Sequence, residues 1–192
     1  MVYASVVHKK TGIIGDFGLT LYFGKNKKIQ EHLKKSLEIN YAIFDYIYEG
    51  IKFLEINDYT HKLLAANGLK SNLSSPSDPT GTNIGHTIPF TYEKTKPREE
   101  KILHATNKEW SIISTLISKK RVFLNSIENF KVRKGCAFTI EPRPHMPYHP
   151  EIPRVWFHTV AFFKDNGKKE LLTDFQNVFK AAGMDYMLNT DL

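Results

Sequence analysis

Helical periodicity dominates the first half of the chain. Between about residues 26 and 48, apolar residues recur at spacings of three and four, which places them on one face of an α-helix. A second helix follows, capped at Asn57 or Asp58 and ending at Gly68, because glycine is the usual residue just beyond a helix C-terminus. The same periodicity predicts two further helices, at residues 109–118 and 174–182.

Short apolar runs bounded by turn residues predict five β-strands. They lie at residues 2–8, 19–24, 136–140, 155–163 and 170–173. Gly12, Gly15 and Gly18 are expected in the turn between the first two strands, and the pair Asn166-Gly167 predicts a hairpin between the last two. Hairpin connections give a mostly antiparallel sheet, so we predict an α+β protein with helices covering one face of the sheet.

The composition indicates one globular domain that spans residues 1–192. With 192 residues and 41% hydrophobic content, the chain is long enough to bury a proper core. No apolar run approaches the ~18 residues that a membrane-spanning helix needs, and the N-terminus lacks a signal-peptide pattern. The single cysteine excludes an internal disulfide and a cysteine zinc cluster. We therefore expect a cytoplasmic protein with no membrane partner.

The net charge of +7 raises the question of nucleic-acid binding. The basic residues are scattered, with acidic residues near most of them and without the interleaved aromatic residues that stack on bases. Such charges are typical of solvated helix faces. We therefore expect no nucleic-acid partner, and a small basic nucleic-acid-binding domain is the least supported of the functional alternatives.

Three polar residues are candidates for a functional site. Glu141 ends the apolar run "CAFTI" and is followed by Pro142, which lacks the N–H donor that continued strand pairing needs. Asp16 lies in "GDFG", and His86 lies in "NIGHTIP" on a constrained backbone. Each has a simpler explanation, namely a solvent-facing strand end, a turn cap and a structural histidine. Taken together, two carboxylates and an imidazole on separate rigid elements suit a divalent transition metal.

Several motifs resemble, in the same order along the chain, those of the pita-bread metallopeptidases. The stretch "FTIEP" resembles the family strand that ends in a metal-binding glutamate, and "FHTVAFFKDNGKKELLT" resembles the strand and hairpin that follow. The stretch "GIIGDFGLTLYFG" is similar to the family's glycine, aspartate and strand pattern, and "GTNIGHTIP" to its histidine-bearing loop. The family includes methionine aminopeptidase, Xaa-Pro aminopeptidase, proline dipeptidase and creatinase.

The resemblance implies a pita-bread fold with a curved sheet and an incomplete first half, because the chain begins near the strand that bears the first metal-binding aspartate. It also implies metal ligation by Asp16, His86 and Glu141, with catalytic roles for Glu141 and His86. In the family, two ions held by two aspartates, one histidine and two glutamates activate a water that attacks the first peptide bond. The implied partner is a short peptide.

Two positions depart from the family pattern. Ser5 stands where the first aspartate is expected, and Phe157 stands where a glutamate precedes "HT". Strand alternation places Phe157 and Thr159 on one face and Trp156 and His158 on the other. We therefore expect Phe157 to fill the place of the glutamate and His158 not to replace it. With two carboxylates lost, at most one divalent ion is expected, chosen from Mn, Co, Zn and Fe.

Two functional hypotheses remain besides nucleic-acid binding. In the first, the chain is a metal-dependent peptidase of the aminopeptidase or Xaa-Pro peptidase type with a degenerate ligand set. In the second, it is a catalytically inactive relative that binds a peptide or protein partner. The sheet edge that the missing half leaves exposed favours a homo-oligomer in either case.

Overall fold

The computed structural model describes residues 1–8, 11, 13–71, 78–104 and 110–188. Its strands are β1 (Val2–Val7), β2 (Ile14–Leu19), β3 (Lys70–Ser71), β4 (Ala137–Ile140), β5 (Pro144–His145), β6 (Phe157–Phe163) and β7 (Lys169–Leu171). Its helices are α1 (Lys27–Tyr46), α2 (Phe53–Ala66), α3 (Pro97–His104), α4 (Trp110–Lys120) and α5 (Gln176–Ala181), with a 3₁₀ turn at Asp185–Met187. None of the helices in these described ranges combines the length and apolar character that crossing a bilayer requires.

A five-stranded antiparallel sheet forms the centre of the fold. Its strands follow the order β1-β2-β6-β4, and β7 pairs with the C-terminal part of β6. Strands β3 and β5 form a separate two-stranded pair. The antiparallel pairing and the helices around the sheet confirm the predicted α+β class.

The two faces of the sheet carry different side chains. On one face, Phe138 and Phe163 pack with residues of α1 and α2, and Phe157 packs with Phe175 and Phe179 near α5. Because side chains alternate along a strand, the neighbours of these phenylalanines point to the opposite face. That second face carries the polar residues described below.

Helix α1 is fixed to the sheet by an amide as well as by apolar packing. The side chain of Asn40 donates hydrogen bonds to the carbonyl of Phe157 at 2.8 Å and to the carbonyl of Ile140 at 3.3 Å. Asn40 is buried, so these bonds offset the cost of removing its amide from water. They hold the end of β4, and with it Glu141, at a fixed distance from β6.

The first hairpin differs from the prediction. Strand β2 spans Ile14–Leu19 rather than residues 19–24, and Gly15 and Gly18 lie inside it rather than in the turn. Pairing with β1 explains the shift, since Val7 lies opposite the first residue of β2. The consequence is that Asp16 lies in the middle of a strand, where its side chain has a defined direction.

The start of the second helix also differs. Helix α2 begins at Phe53, upstream of the predicted caps Asn57 and Asp58. The Glu55 side chain accepts a hydrogen bond from the Lys52 N–H at 2.9 Å and so provides the cap from inside the first turn.

Other predicted elements are confirmed. Helix α1 and strands β4 and β6 lie close to their predicted bounds, and Gly68, with φ of +68°, ends α2. Gly167, with φ of +80°, forms the hairpin between β6 and β7.

Helix α3 was not predicted, because it is short, polar and held mainly through the buried Leu103. Gly12 and residue 109, the first of a predicted helix, lie outside the described residues.

Candidate metal centre

Four buried polar side chains meet on the face of the sheet opposite α1, and we refer to Asp16, His86, Glu141 and His158 as the buried cluster. Asp16 comes from β2, His158 from β6, and Glu141 directly follows β4. His86 lies on an irregular segment that forms isolated bridges near β4. Between 2% and 6% of the surface of each residue is exposed, so the cluster lies in the interior.

Backbone hydrogen bonds place His86 beside Glu141. The His86 carbonyl accepts from the Thr139 N–H at 2.8 Å, and the Ile84 carbonyl accepts from the Glu141 N–H at 2.8 Å. The Thr139 hydroxyl accepts from the His86 N–H at 2.9 Å and lies 3.0 Å from Oε1 of Glu141, to which it donates. The strand end and the histidine segment therefore form one rigid unit.

The donor atoms of the buried cluster converge. Nε2 of His86 lies 3.4 Å from Oδ2 of Asp16 and 3.6 Å from Oε1 of Glu141. Nε2 of His158 lies 2.7 Å from Oε2 of Glu141. One ligand atom from each of Asp16, His86 and His158 lies within 4.8 Å of the other two. The structure thus brings together all three residues that the sequence suggested as metal ligands and adds His158.

Oδ2 of Asp16 and Nδ1 of His158 lack a hydrogen-bond partner among the described residues, whereas Nε2 of His158 contacts Glu141. Nδ1 of His86 lies 2.9 Å from the Thr87 carbonyl, and donation to that carbonyl leaves the lone pair of Nε2 facing two carboxylates. A lone pair and two carboxylates repel each other at this distance, so the arrangement requires a proton or a cation between them.

The electrostatics favour the ligating forms of these groups. Burial alone raises the pKa of Glu141, but the imidazoles of His158 and His86 and the Thr139 hydroxyl lower it to about 2. The pKa of His86 is lowered because burial disfavours the imidazolium; Glu141 opposes this effect and Arg121 reinforces it. At neutral pH the site therefore presents a charged Glu141 and a neutral His86, as metal ligation requires.

A second group of side chains surrounds Asp16 and His158. The Tyr3 hydroxyl donates to Oδ1 of Asp16 at 3.0 Å, and Nη2 of Arg121 lies 3.9 Å from Oδ2. The Tyr3 ring stacks on Trp156 at 5.3 Å between centroids, and the guanidinium of Arg143 lies 4.3 Å from the Trp156 ring centre. Sequence reasoning identified neither Tyr3 nor Arg121 as part of the site.

The two departures from the family pattern have different outcomes. Ser5 lies directly opposite Asp16 in the β1–β2 pair, and its side chain is exposed. The expectation for Phe157 was wrong: its ring lies on the helix-covered face, and His158 lies in the buried cluster instead. The register explains this, because Thr159 pairs with Ile140, which turns Phe157 toward the helices and His158 toward Glu141.

Two cavities in the described part of the chain differ in their relation to the buried cluster. The larger, of about 610 Å³, lies between α1 and residues 146–152 and is remote from it. The other, of about 540 Å³, is lined by Arg121 and Phe123. Arg121 approaches Asp16, and the Phe123 ring meets the His86 ring edge-on at 6.2 Å, so the smaller cavity adjoins the buried cluster.

Comparison with solved structures finds peptidases. The chain is similar to an Xaa-Pro dipeptidase from Bacillus anthracis, with 17% identity and a TM-score of 0.54 over 84% of this chain and 36% of that one. It is similar to dipeptidase PepE from Mycobacterium ulcerans, with 15% identity and a TM-score of 0.56 over 90% and 36%. It is also similar to a methionine aminopeptidase from Rickettsia prowazekii, with 11% identity and a TM-score of 0.54 over 88% and 61%.

These likenesses establish the pita-bread fold, as the motifs predicted. The chain spans about a third of the length of the dipeptidases and 61% of the methionine aminopeptidase, which agrees with an incomplete version of that fold. No protein-family model matches the chain, and no curated protein sequence matches it.

Proposed function

We propose that the chain acts as a metal-dependent peptidase of the aminopeptidase or Xaa-Pro peptidase type, using one divalent ion held in the buried cluster. The observation that carries this proposal is the convergence of ligand atoms from Asp16, His86 and Glu141 beside His158, with Oδ2 of Asp16 left without a hydrogen bond among the described residues. The peptidases that share the fold support the same class of reaction.

The donor set fits one ion better than two. Two ligands about 2.1 Å from a tetrahedral ion are about 3.4 Å apart. The observed separations of 3.4 Å and 3.6 Å from Nε2 of His86 to the two carboxylates are close to that value. A second ion needs bridging carboxylates, and the position opposite Asp16 carries Ser5 instead. One imidazole and two carboxylates suit Zn, Mn, Co or Fe.

Each residue has a distinct task in the proposed reaction. When bound, the ion supplies Lewis acidity, which lowers the pKa of a water and polarises the peptide carbonyl. Asp16, His86 and Glu141 provide the ligands, and Glu141 also orients the His158 imidazole 2.7 Å away. His158, beside Glu141, would be the group placed to take up a proton. The cavity beside Arg121 and Phe123 has room for a short peptide.

Metal content is the test of this proposal. We expect elemental analysis to find one ion per chain after incubation with Mn²⁺, Co²⁺ or Zn²⁺ and gel filtration, and hydrolysis of short peptides by the loaded protein. Peptides with and without proline in the second position separate Xaa-Pro activity from general aminopeptidase activity. Loss of the ion in Asp16→Asn, but not in Asp58→Asn on the exposed face of α2, locates it in the buried cluster.

The alternative is a catalytically inactive relative that binds peptides. The exposed Ser5, in place of a carboxylate, favours this alternative. Absence of bound metal at every concentration tested contradicts the peptidase proposal. Equilibrium binding of the same peptides, unchanged by a chelator, then supports the inactive relative.

The proposal extends to self-association through β1. This strand pairs only with β2 among the described residues, and it contains neither a charged residue nor a proline to discourage further pairing. Val2, Tyr3 and Val6 are 46%, 51% and 68% exposed. A second copy of the chain that pairs along β1 in the antiparallel sense extends the sheet across both copies and brings the partner's strand close to Tyr3 and Asp16.

A lysine on β1 tests the dimer. We expect light scattering to give a dimer mass for the wild-type chain and a monomer mass for Val6→Lys, because the added charge cannot be desolvated in a paired edge. Ile127→Lys is the matched control, since Ile127 is 61% exposed and lies away from the sheet edge. A monomeric wild-type chain contradicts the proposed dimer.

A further inference from the structure

A groove remote from the buried cluster has the features of a binding site. It measures about 610 Å³ and lies between α1, the C-terminal end of α2 and residues 146–152. Its wall includes the apolar side chains of Leu69, Met146 and Ile152. A groove of this size and character holds a small organic molecule, provided that polar groups in it fix the orientation.

His32 provides the polar group at the base of the groove. It lies on α1, lines the groove and is 1% exposed. The only nearby hydrogen-bonding group for its ring among the described residues is the Pro144 carbonyl, so at least one ring nitrogen has no partner. Burial lowers the pKa of His32; the nearby Pro144 carbonyl opposes this effect and His145 reinforces it. A neutral imidazole has one N–H donor and one acceptor; with the N–H directed to the Pro144 carbonyl, the other nitrogen can accept from a ligand's ammonium.

The charged residues on the groove carry both signs. Lys28, Lys34 and Lys35 line it together with Glu31 and Glu38, all from α1. Lys35 and Glu38 form an ion pair at 3.5 Å with each other. Lys28, which also acts on the nearby Glu151, and Lys34 remain on the groove with Glu31. Such a mixed set favours a ligand with one anionic and one cationic group over a simple anion or cation.

We propose that this groove binds a free amino acid with an apolar side chain, as the zwitterion. The carboxylate is directed toward Lys28 and Lys34, and the ammonium toward Glu31. The apolar side chain lies against the wall formed by Leu69, Met146 and Ile152, and His32 hydrogen-bonds the polar end. The site is independent of the proposed peptidase activity, so a chelator is expected to leave amino-acid binding unchanged.

Three probes that differ only in charged groups test the proposal. L-Leucine carries both groups, 4-methylpentanoate lacks the ammonium, and 3-methylbutylamine lacks the carboxylate. We expect saturable binding of leucine by calorimetry and at least tenfold weaker binding of the other two, because each loses a charge-assisted contact. Equal binding of all three, or no binding of leucine, overturns the proposal.

Variants locate the leucine site. We expect His32→Leu to weaken leucine binding at least tenfold and to leave the circular-dichroism spectrum unchanged, because a leucine of similar size suits this buried position. His61→Leu, an exposed histidine on α2, is the matched control. If His32→Leu fails to fold, Glu31→Gln on the exposed rim replaces it in the test. The assignment to this groove is overturned if leucine binding is unaffected by Glu31→Gln and, where it folds, by His32→Leu.

Discussion

A Glu141→Gln variant is expected to bind divalent metal at least about 100-fold more weakly than the wild-type chain. Changes to groups that only support a ligand cost about 10- to 100-fold in metal affinity, and Glu141 is proposed to be a ligand itself. The substitution keeps the shape of the side chain and removes its charge. It also weakens the contact with Nε2 of His158 at 2.7 Å, which in the wild-type chain faces a carboxylate oxygen.

The same variant is expected to be less stable without metal. The pKa of Glu141 is lowered to about 2 in the folded chain from a usual value of 4.5, so the charged form stabilises the fold above the unfolded pKa. Loss of that charge at neutral pH costs on the order of 3 kcal/mol in the free energy of unfolding. Urea unfolding in the presence of a chelator measures this cost.

Glu151→Gln is the control for both measurements. Glu151 is exposed, and its carboxylate lies 3.0 Å from Nδ1 of His149 in an exposed loop. The chemical change is identical, and we expect full metal binding and no measurable change in stability. Full metal content in Glu141→Gln contradicts the assignment of Glu141 as a ligand. If Glu141→Gln does not fold, the metal-binding measurement is made on Asp16→Asn, which removes a proposed ligand of the same ion on β2.

The sequence predicted Glu141 for a physical reason. An apolar run that stops at a proline has to end its strand there, and the last side chain before the proline then has a fixed position. The structure agrees, since Glu141 follows β4 and its N–H is held by the Ile84 carbonyl. Asp16 and His86 were harder to place, because their positions depend on pairing between distant segments.

His158 was excluded from the predicted site because the motif match to the family was given more weight than strand amphipathicity. Aligning "HT" with the family put Phe157 at the glutamate position. The alternative signal was present in the strand: Phe157, Ala161 and Phe163 form an apolar row, as expected for the face that helices cover. The opposite row contains Trp156 and His158, whose polar atoms favour a site. The pairing of Thr159 with Ile140 determines which row faces the helices and which faces the buried cluster. The sequence of one strand does not specify that pairing.

The second strand of the first hairpin was also misplaced, because the pattern of one segment does not specify its packing. The apolar run "LTLYFG" has the composition of a strand, but apart from Leu19, which ends β2, its apolar residues Leu21 and Tyr22 pack instead against the cluster that contains Phe157. A short apolar segment can bury its side chains either as a paired strand or as an irregular segment packed on the core. Tertiary packing decides between the two. The result matters for the site, because the observed register puts Asp16 opposite Ser5.

A Gly85→Ala substitution is expected to be among the most destabilising changes in the described part of the chain. A Cβ atom at this position meets the backbone carbonyl oxygen and carbon of Thr139, and the Oγ1 of Thr139 lies 3.1 Å away. The clash involves backbone atoms of β4, which cannot rotate away as a flexible side chain can. We expect a loss of about 3 kcal/mol or more in the free energy of unfolding, at the upper end of the range for overpacking.

The substitution is expected to remove metal binding as well. Relief of the clash pushes the segment of Gly85 away from β4 and breaks the bonds that join His86 to Thr139, at 2.8 Å and 2.9 Å. Gly81→Ala separates this effect from backbone strain. Gly81 has φ of +71° with nothing within 4 Å of an added Cβ, so we expect a cost of about 1 kcal/mol and unchanged metal content. Equal effects of the two substitutions on unfolding and metal content contradict the role of Gly85 as the close contact that positions His86.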